Sequence, residues 1–388
     1  MKSQSLRFAS IALASLAASS LASCQETPTP ATGGEAGNAA MQVSFAKQDM
    51  GTFDEPWAIA FEPGTGTLFV TEKSGAIRFR KADGTTGDVS GVPDVDYGGQ
   101  GGLGDIVFAP DYASSHAVYI SYAEAGSGDT RGAAVMRATL QCDQAEACAL
   151  RDPRVIWRQD EKVTGRGHYS HRIAFSPDGD FLFIASGDRQ KMQPAQDLSN
   201  NLGTIVRLLP DGSPAPGNPF TGEANANDEI WSYGHRNILG LAFDARGQLW
   251  DLEHGPQGGD ELNLVARGMN YGWPNVSNGI HYDGKPIPDH APGDGYVAPV
   301  EWWDPVIAPG GMIFYSGALF PDWQGNALIA GLGSQGLVVV KMDGKTASES
   351  ARYDLGARIR AVAEAADGSV WVAEDGPDAH VWRLTPQG

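Results

Sequence analysis

One pattern returns six times along the chain, and it constrains the fold more than any other feature. The unit is an apolar β run, a turn with Pro, Asp or Gly, a second β run with an aromatic, then a polar loop. It spans Trp57 to Glu72, then Gly104 to Asp111 with Val118 to Tyr122, then Arg172 to Asp188. It continues as Leu239 to Glu253, as a looser copy at Met312 to Ala330, and as Ile359 to Glu374. Successive copies start roughly 50 to 70 residues apart, long for a repeat of this kind because of inserted loops. Each copy supplies two inner strands, and segments such as Leu337 to Met342 and His380 to Leu384 supply outer ones. A small sheet of this type cannot bury both faces alone, so stacking in a ring is the physical solution. The expected fold is all-β, a six-bladed β-propeller occupying residues 42–388. An array of β-sandwiches would not explain one pattern recurring six times.

Composition supports this. Gly (50) and Pro (24) are abundant among 388 residues and are scattered in short turns. Helix-forming runs of Ala, Glu, Lys and Leu are absent, which argues against a bundle or coiled coil. The formal charge of -19 would repel a polyanion, so a nucleic-acid partner is not expected.

The first 23 residues read as a targeting segment rather than as part of the fold. Lys2 and Arg7 form a positive start, and Phe8 to Ala22 is an apolar stretch too short to span a bilayer comfortably. It ends in Leu21-Ala-Ser-Cys24, which resembles the lipobox of bacterial lipoproteins, in which the cut precedes a Cys that is then acylated. That resemblance implies a membrane anchor through Cys24 and a periplasmic location. Gln25 stands where an inner-membrane retention signal would place Asp, which favours an outer-membrane address. Residues 24–41 read as a flexible tether. Cys142 and Cys148 remain, with five residues between them, and a local disulfide is expected in an oxidising compartment.

Gly99-Gln-Gly-Gly-Leu-Gly104 matches the dinucleotide fingerprint, but it leads into a β run instead of a helix, and nicotinamide binding is rejected. Four loop motifs carry more information. They are Gly98 to Gly104, Gly167-His-Tyr-Ser-His-Arg172, Trp231-Ser-Tyr-Gly-His-Arg-Asn237, and Glu253-His-Gly-Pro-Gln-Gly-Gly-Asp-Glu-Leu-Asn263 followed by Asn270-Tyr-Gly-Trp-Pro274. In this order on six β repeats, they resemble the soluble dehydrogenases of glucose, sorbosone and other aldose sugars that depend on pyrroloquinoline quinone (PQQ). The resemblance extends over about residues 50 to 386 and includes Arg358-Ile-Arg360.

The resemblance implies oxidation of an aldose sugar at C1 to a lactone, with PQQ as cofactor and calcium (Ca2+) beside it. His168 matches the family's base, a role that suits a neutral imidazole. Gln100 and Asp188 match residues lining the same pocket, where they would hold substrate hydroxyls or orient the histidine. Arg236, Asn237, His254, Arg358 and Arg360 match cofactor contacts, where guanidinium forks suit a tricarboxylate. Gly255 and Pro256 match the positions whose carbonyls hold the catalytic calcium, and Glu261 and Tyr271 match a second calcium site. His171 stands where the family usually has Gly, and Leu332-Gly333 stands where it has Leu-Lys. The electron acceptor and the preferred sugar are not legible.

Two other classes compete. A calcium-dependent propeller lactonase would need side-chain carboxylates on a metal in the central channel. A non-catalytic, surface-anchored sugar-binding propeller would fit the missing lysine at position 333.

Overall fold

The computed structural model describes residues 43–387. The expected signal peptide, the tether and the lipidated Cys24 lie outside the described residues. The protein is all-β: 24 strands, one four-residue α-helix and two short 3-10 turns among the described residues. Among the described residues, no helix is long and apolar enough to cross a membrane.

The strands form antiparallel meanders of four, in chain order within residues 56–90, 103–158, 170–233, 238–303 and 309–354. The sixth meander runs through residues 359–386 and takes its outermost strand from Phe45–Phe53, which pairs with Ala379–Pro386. The first two meanders are joined edge to edge into one eight-stranded sheet, by parallel pairing of Asp88–Ser90 with Ala147–Ala149. The first strands touch one another in closed cyclic order: Pro56–Phe61, Leu103–Phe108, Ser170–Phe175, Ile238–Phe243, Pro309–Phe314, Ile359–Glu364, and back to Pro56–Phe61.

Burial explains why the repeats read as continuous apolar runs. Every residue of the second strands Leu68–Glu72, Leu182–Ser186, Leu249–Glu253 and Ala327–Gly331 is buried. These strands are sandwiched on both faces by neighbouring sheets, so alternation is lost. The outermost strand Thr346–Asp354 is largely exposed and alternates instead. The segments Leu337 to Met342 and His380 to Leu384 form third strands rather than outermost ones. Cys142 and Cys148 are bonded as a disulfide in the second meander's outer hairpin.

All six first strands carry a register shift against the second strand near their starting end, between Pro56 and Ala58, Leu103 and Ile106, Ser170 and Ile173, Ile238 and Gly240, Pro309 and Gly311, and Ile359 and Ala361. Such irregularities re-aim side chains, and they are common beside functional sites. Here they ring one end of the molecule.

Candidate active site

At that end a cavity of about 230 Å3 opens between the starts of the first strands. Its polar lining includes Lys73, Gln100, Asn237, His254, Arg358 and Arg360. Each stands just before or early in a first strand, or just after a second one. The meander geometry therefore converges motifs that are far apart in sequence.

His168 is joined to Gln100, which lines this cavity along with Tyr169 and Ser170, the residues after His168. The His168 main-chain N–H donates to Gln100 Oε1 at 2.7 Å, and the Gln100 N–H donates to the Arg166 carbonyl at 2.8 Å. Neither His168 nor Asp188 is among the residues lining the cavity, and of the two roles expected of Asp188 it takes the one that orients the histidine. It is fully buried behind His168, with its Oδ1 2.6 Å from His168 Nδ1. The reason is a set of donors that only a buried carboxylate satisfies. Trp273 Nε1 donates to Oδ2 at 2.7 Å, the Gln190 N–H to Oδ1 at 2.8 Å, and the Met192 N–H to Oδ2 at 3.3 Å. Burial opposes ionisation of Asp188, yet the bond from His168 and the nearby Arg236 hold its carboxyl below the usual carboxylate range. Burial in turn pushes the His168 imidazole below the usual histidine range, against the pull of Asp188. An ionised Asp188 accepts from Nδ1–H, which leaves the His168 Nε2 lone pair free to take a proton.

The backbone here is unusual. His168, Ser170 and His171 have φ of 49°, 66° and 73°. For side-chain-bearing residues this left-handed region costs energy and clusters at functional sites. At position 171 a glycine would adopt it freely. The His171 ring is accommodated because position 104 is glycine: a Cβ there would lie 2.7 Å from His171 Cβ. His171 lines the cavity, stacks on Tyr169 at 5.2 Å, and has neither ring nitrogen hydrogen-bonded. Burial, with Arg189 and Arg172 nearby, pushes its imidazole down to about 3.

Arg236 and Asn237 are set by Glu253, whose Oε2 accepts both of their main-chain N–H groups at 2.5 and 3.2 Å. The Arg236 guanidinium donates to the His254 carbonyl at 3.1 Å and to the Tyr282 hydroxyl at 3.3 Å, while its buried Nε has no partner. His254 Nε2 is 2.7 Å from the Pro309 carbonyl, so it carries the proton there. Arg358 and Arg360 share Asp375: Arg358 Nε lies 3.0 Å from Oδ2 and Arg360 Nε 2.9 Å from Oδ1.

Of the residues expected to hold calcium, Gly255, Glu261 and Tyr271 cluster with His254, and Pro256 follows Gly255 in the same loop. Asp260 ties their loop down, accepting from the Gly255 N–H at 3.0 Å and from the Ala308 N–H at 2.7 Å. Among the described residues, neither the Gly255 nor the Pro256 carbonyl accepts a backbone hydrogen bond. Both oxygens thus remain available to a hard cation. The Tyr271 hydroxyl donates to the Leu264 carbonyl at 2.6 Å and accepts from the Ala266 N–H at 2.8 Å, which leaves its carbonyl as the atom for a metal. Glu261 belongs to a buried group with His235, Asp251, Glu253 and Asn263. Burial, and then the Glu253 charge, drive the Asp251 and Glu261 carboxyls well above the usual range.

Sequence reasoning gave no role to Trp57, Lys73 or Tyr169, which also line the cavity, nor to Trp273 and Tyr282. Trp273 lay within a quoted motif, so its indole N–H could have been asked for an acceptor. Tyr169 also lay within a quoted motif and Trp57 opened the first repeat, whereas Lys73 and Tyr282 carry no motif.

Comparison with known proteins shows what the chain is similar to. The family model described as Glucose / Sorbosone dehydrogenase matches residues 53–383. The aldose sugar dehydrogenase YliI of Escherichia coli is 39% identical over 341 residues, covering 86% of this chain and 91% of the relative. The crystal structure of the soluble aldose sugar dehydrogenase from Escherichia coli in the apo form superposes with a TM-score of 0.84 at 36% identity, covering 89% of this chain and 100% of that one. A PQQ-bound aldose sugar dehydrogenase from Streptomyces coelicolor superposes with a TM-score of 0.73 at 29% identity, covering 89% and 99%.

Proposed function

The chain belongs to the glucose/sorbosone dehydrogenase family, and from that premise we propose that it is a six-bladed β-propeller that oxidises aldose sugars at C1 to lactones, with PQQ and calcium bound in the cavity. It is an oxidoreductase. The propeller reading rests on the six four-stranded meanders and the closed cyclic contact of their first strands.

The observation that carries the mechanism is the His168–Asp188 pair beside a cavity edged with Arg358 and Arg360. Three features fit an anionic, metal-assisted cofactor: the two guanidinium groups, the unpartnered Arg236 Nε, and the free carbonyls of Gly255 and Pro256. Arg236, Asn237, His254, Arg358 and Arg360 would hold PQQ, and Gly255 and Pro256 would hold calcium, with Glu261 and Tyr271 on a second ion. When bound, the quinone accepts hydride, and calcium polarises the carbonyl that receives it. His168 Nε2 takes the proton of the sugar C1 hydroxyl, Asp188 stabilises the resulting imidazolium, and Gln100 positions His168 through its main chain. No step requires a side-chain carboxylate on a channel metal, as a lactonase would.

The test is to add PQQ and calcium to the purified apo-protein and follow glucose-dependent reduction of an electron-accepting dye. Turnover that needs both additions supports the reading. Cofactor uptake without turnover on any aldose would favour a sugar-binding propeller. Residues 1–41 support a further proposal, that acylated Cys24 anchors the enzyme on the periplasmic side of the outer membrane. A Cys24→Ser variant would then be soluble, and a wholly soluble wild type would refute the anchor.

A further inference from the structure

Where the family pattern has a lysine, this chain has Gly333. A Cβ built there lies 3.0 Å from the Ile307 carbonyl oxygen and 3.1 Å from Ala308 Cβ, so a side chain would fit only if that loop moved. The corresponding loop of the first meander, just after Leu68–Glu72, carries Lys73. Lys73 lines the same cavity as Arg358 and Arg360.

The position of Lys73 is fixed from several directions. Its N–H donates to the Glu55 carbonyl and its carbonyl accepts from the Leu103 N–H, both at 3.0 Å. Gly102 packs so closely that a Cβ would stand 2.1 Å from the Lys73 carbonyl oxygen. The ammonium lies 3.2 Å from Glu55 Oε1 and 5.7 Å from the centre of the Tyr97 ring. Glu55 also accepts from the Tyr97 hydroxyl, and its N–H donates at 2.9 Å to the carbonyl of Gly376, next to Asp375. Lys73, Arg358 and Arg360 thus share one rim of the cavity with Glu55 and Asp375. Three cations face two carboxylates, an excess of one positive charge. An ammonium has three donors and Glu55 takes one, so the head keeps donors for an anionic ligand.

Resting on the cofactor reading above, we propose that Lys73 is the cation that pairs with a PQQ carboxylate in this chain, replacing the lysine absent at position 333. The charge is supplied from the opposite side of the Arg358–Arg360 pair, by the first meander instead of the fifth.

The experiment is a titration of apo-protein with PQQ in the presence of calcium, followed by tryptophan quenching at low and high salt. Wild type, Lys73→Met, Lys73→Arg, Arg358→Ala and the remote control Lys345→Met are compared. Lys73→Met should raise the dissociation constant tenfold or more and flatten its salt dependence, because one screened ion pair is gone. Lys73→Arg should stay within about threefold of wild type. The inference is overturned if Lys73→Met binds like wild type while Arg358→Ala binds more weakly. A wild type that does not bind PQQ overturns the cofactor reading itself, and the inference with it. Labelling of the wild type with an amine-reactive reagent gives an answer even if Lys73→Met does not fold. Saturating PQQ should protect Lys73 but not Lys345, and an unprotected Lys73 overturns the proposal.

Discussion

His168 Nδ1 stands 2.6 Å from the carboxylate of Asp188, which has no exposed surface and receives three further hydrogen bonds from Trp273, Gln190 and Met192. All four partners are donors. The pair therefore fixes the imidazole tautomer and leaves Nε2 without a hydrogen-bond partner among the described residues. His168→Gln keeps a polar group of similar reach but has no base near neutral pH. Its turnover should fall by ~10²–10⁴ while PQQ still binds. Asp188→Asn would turn an amide N–H toward donors on either side, and should cost turnover by a similar factor. Single-turnover dye reduction with saturating sugar checks both. A His168→Gln enzyme that keeps most of its rate would refute the assignment.

The pH dependence follows from the same pair. Burial holds the His168 imidazole below its ordinary value of 6.5, so the neutral, basic form persists into mildly acidic solution. The acid limb of kcat/KM should have its midpoint below pH 6.5. A midpoint at or above that value would mean that another group limits the rate, or that His168 is charged at rest.

Much of the fold was legible because each second strand is buried on both faces, so its whole length reads as apolar. The closing strand Phe45–Phe53 was not. It is mostly exposed, carries Lys47 and Asp49, and pairs with a segment more than 300 residues away. At the site, loop motifs named His168, Arg236 and Arg358 because their residue types and order resemble a family. Asp188 could be read either as holding substrate or as orienting the histidine, and its choice of the second depends on a burial set by an indole 85 residues further on. Lys73 is a single cation at the end of an apolar run. Nothing local distinguishes it from a solvated lysine until the ring brings it beside Arg358.

His171 gives a prediction about stability. Its folded value of about 3 lies below the unfolded value of 6.5, so the native state binds fewer protons. That contribution is fully present above pH 6.5 and is lost as pH falls toward 3, at about 1.4 kcal/mol per pH unit. His171→Gln removes the titrating group. Between pH 7 and pH 5, urea unfolding should show the wild type losing about 2 kcal/mol more stability than the variant. Equal losses would show that the ring is protonated in the folded state.

Gly104 and His171 should also be energetically coupled. A Cβ at position 104 would lie 2.7 Å from both Cβ and Cγ of His171 and 2.6 Å from Ser121 Oγ. Gly104→Ala should therefore destabilise the protein by about 1–3 kcal/mol through overpacking. His171→Gly removes the ring and relaxes a backbone held at φ 73°, although it forfeits the stacking on Tyr169. In the double variant the new methyl can occupy the vacated space, so the two changes should cost less together than their sum by about 1 kcal/mol or more. Ser121 still opposes the methyl, which keeps the rescue partial. Strict additivity in thermal or urea unfolding would mean that Ser121 alone accounts for the glycine at 104, and that the histidine at 171 was accommodated without it.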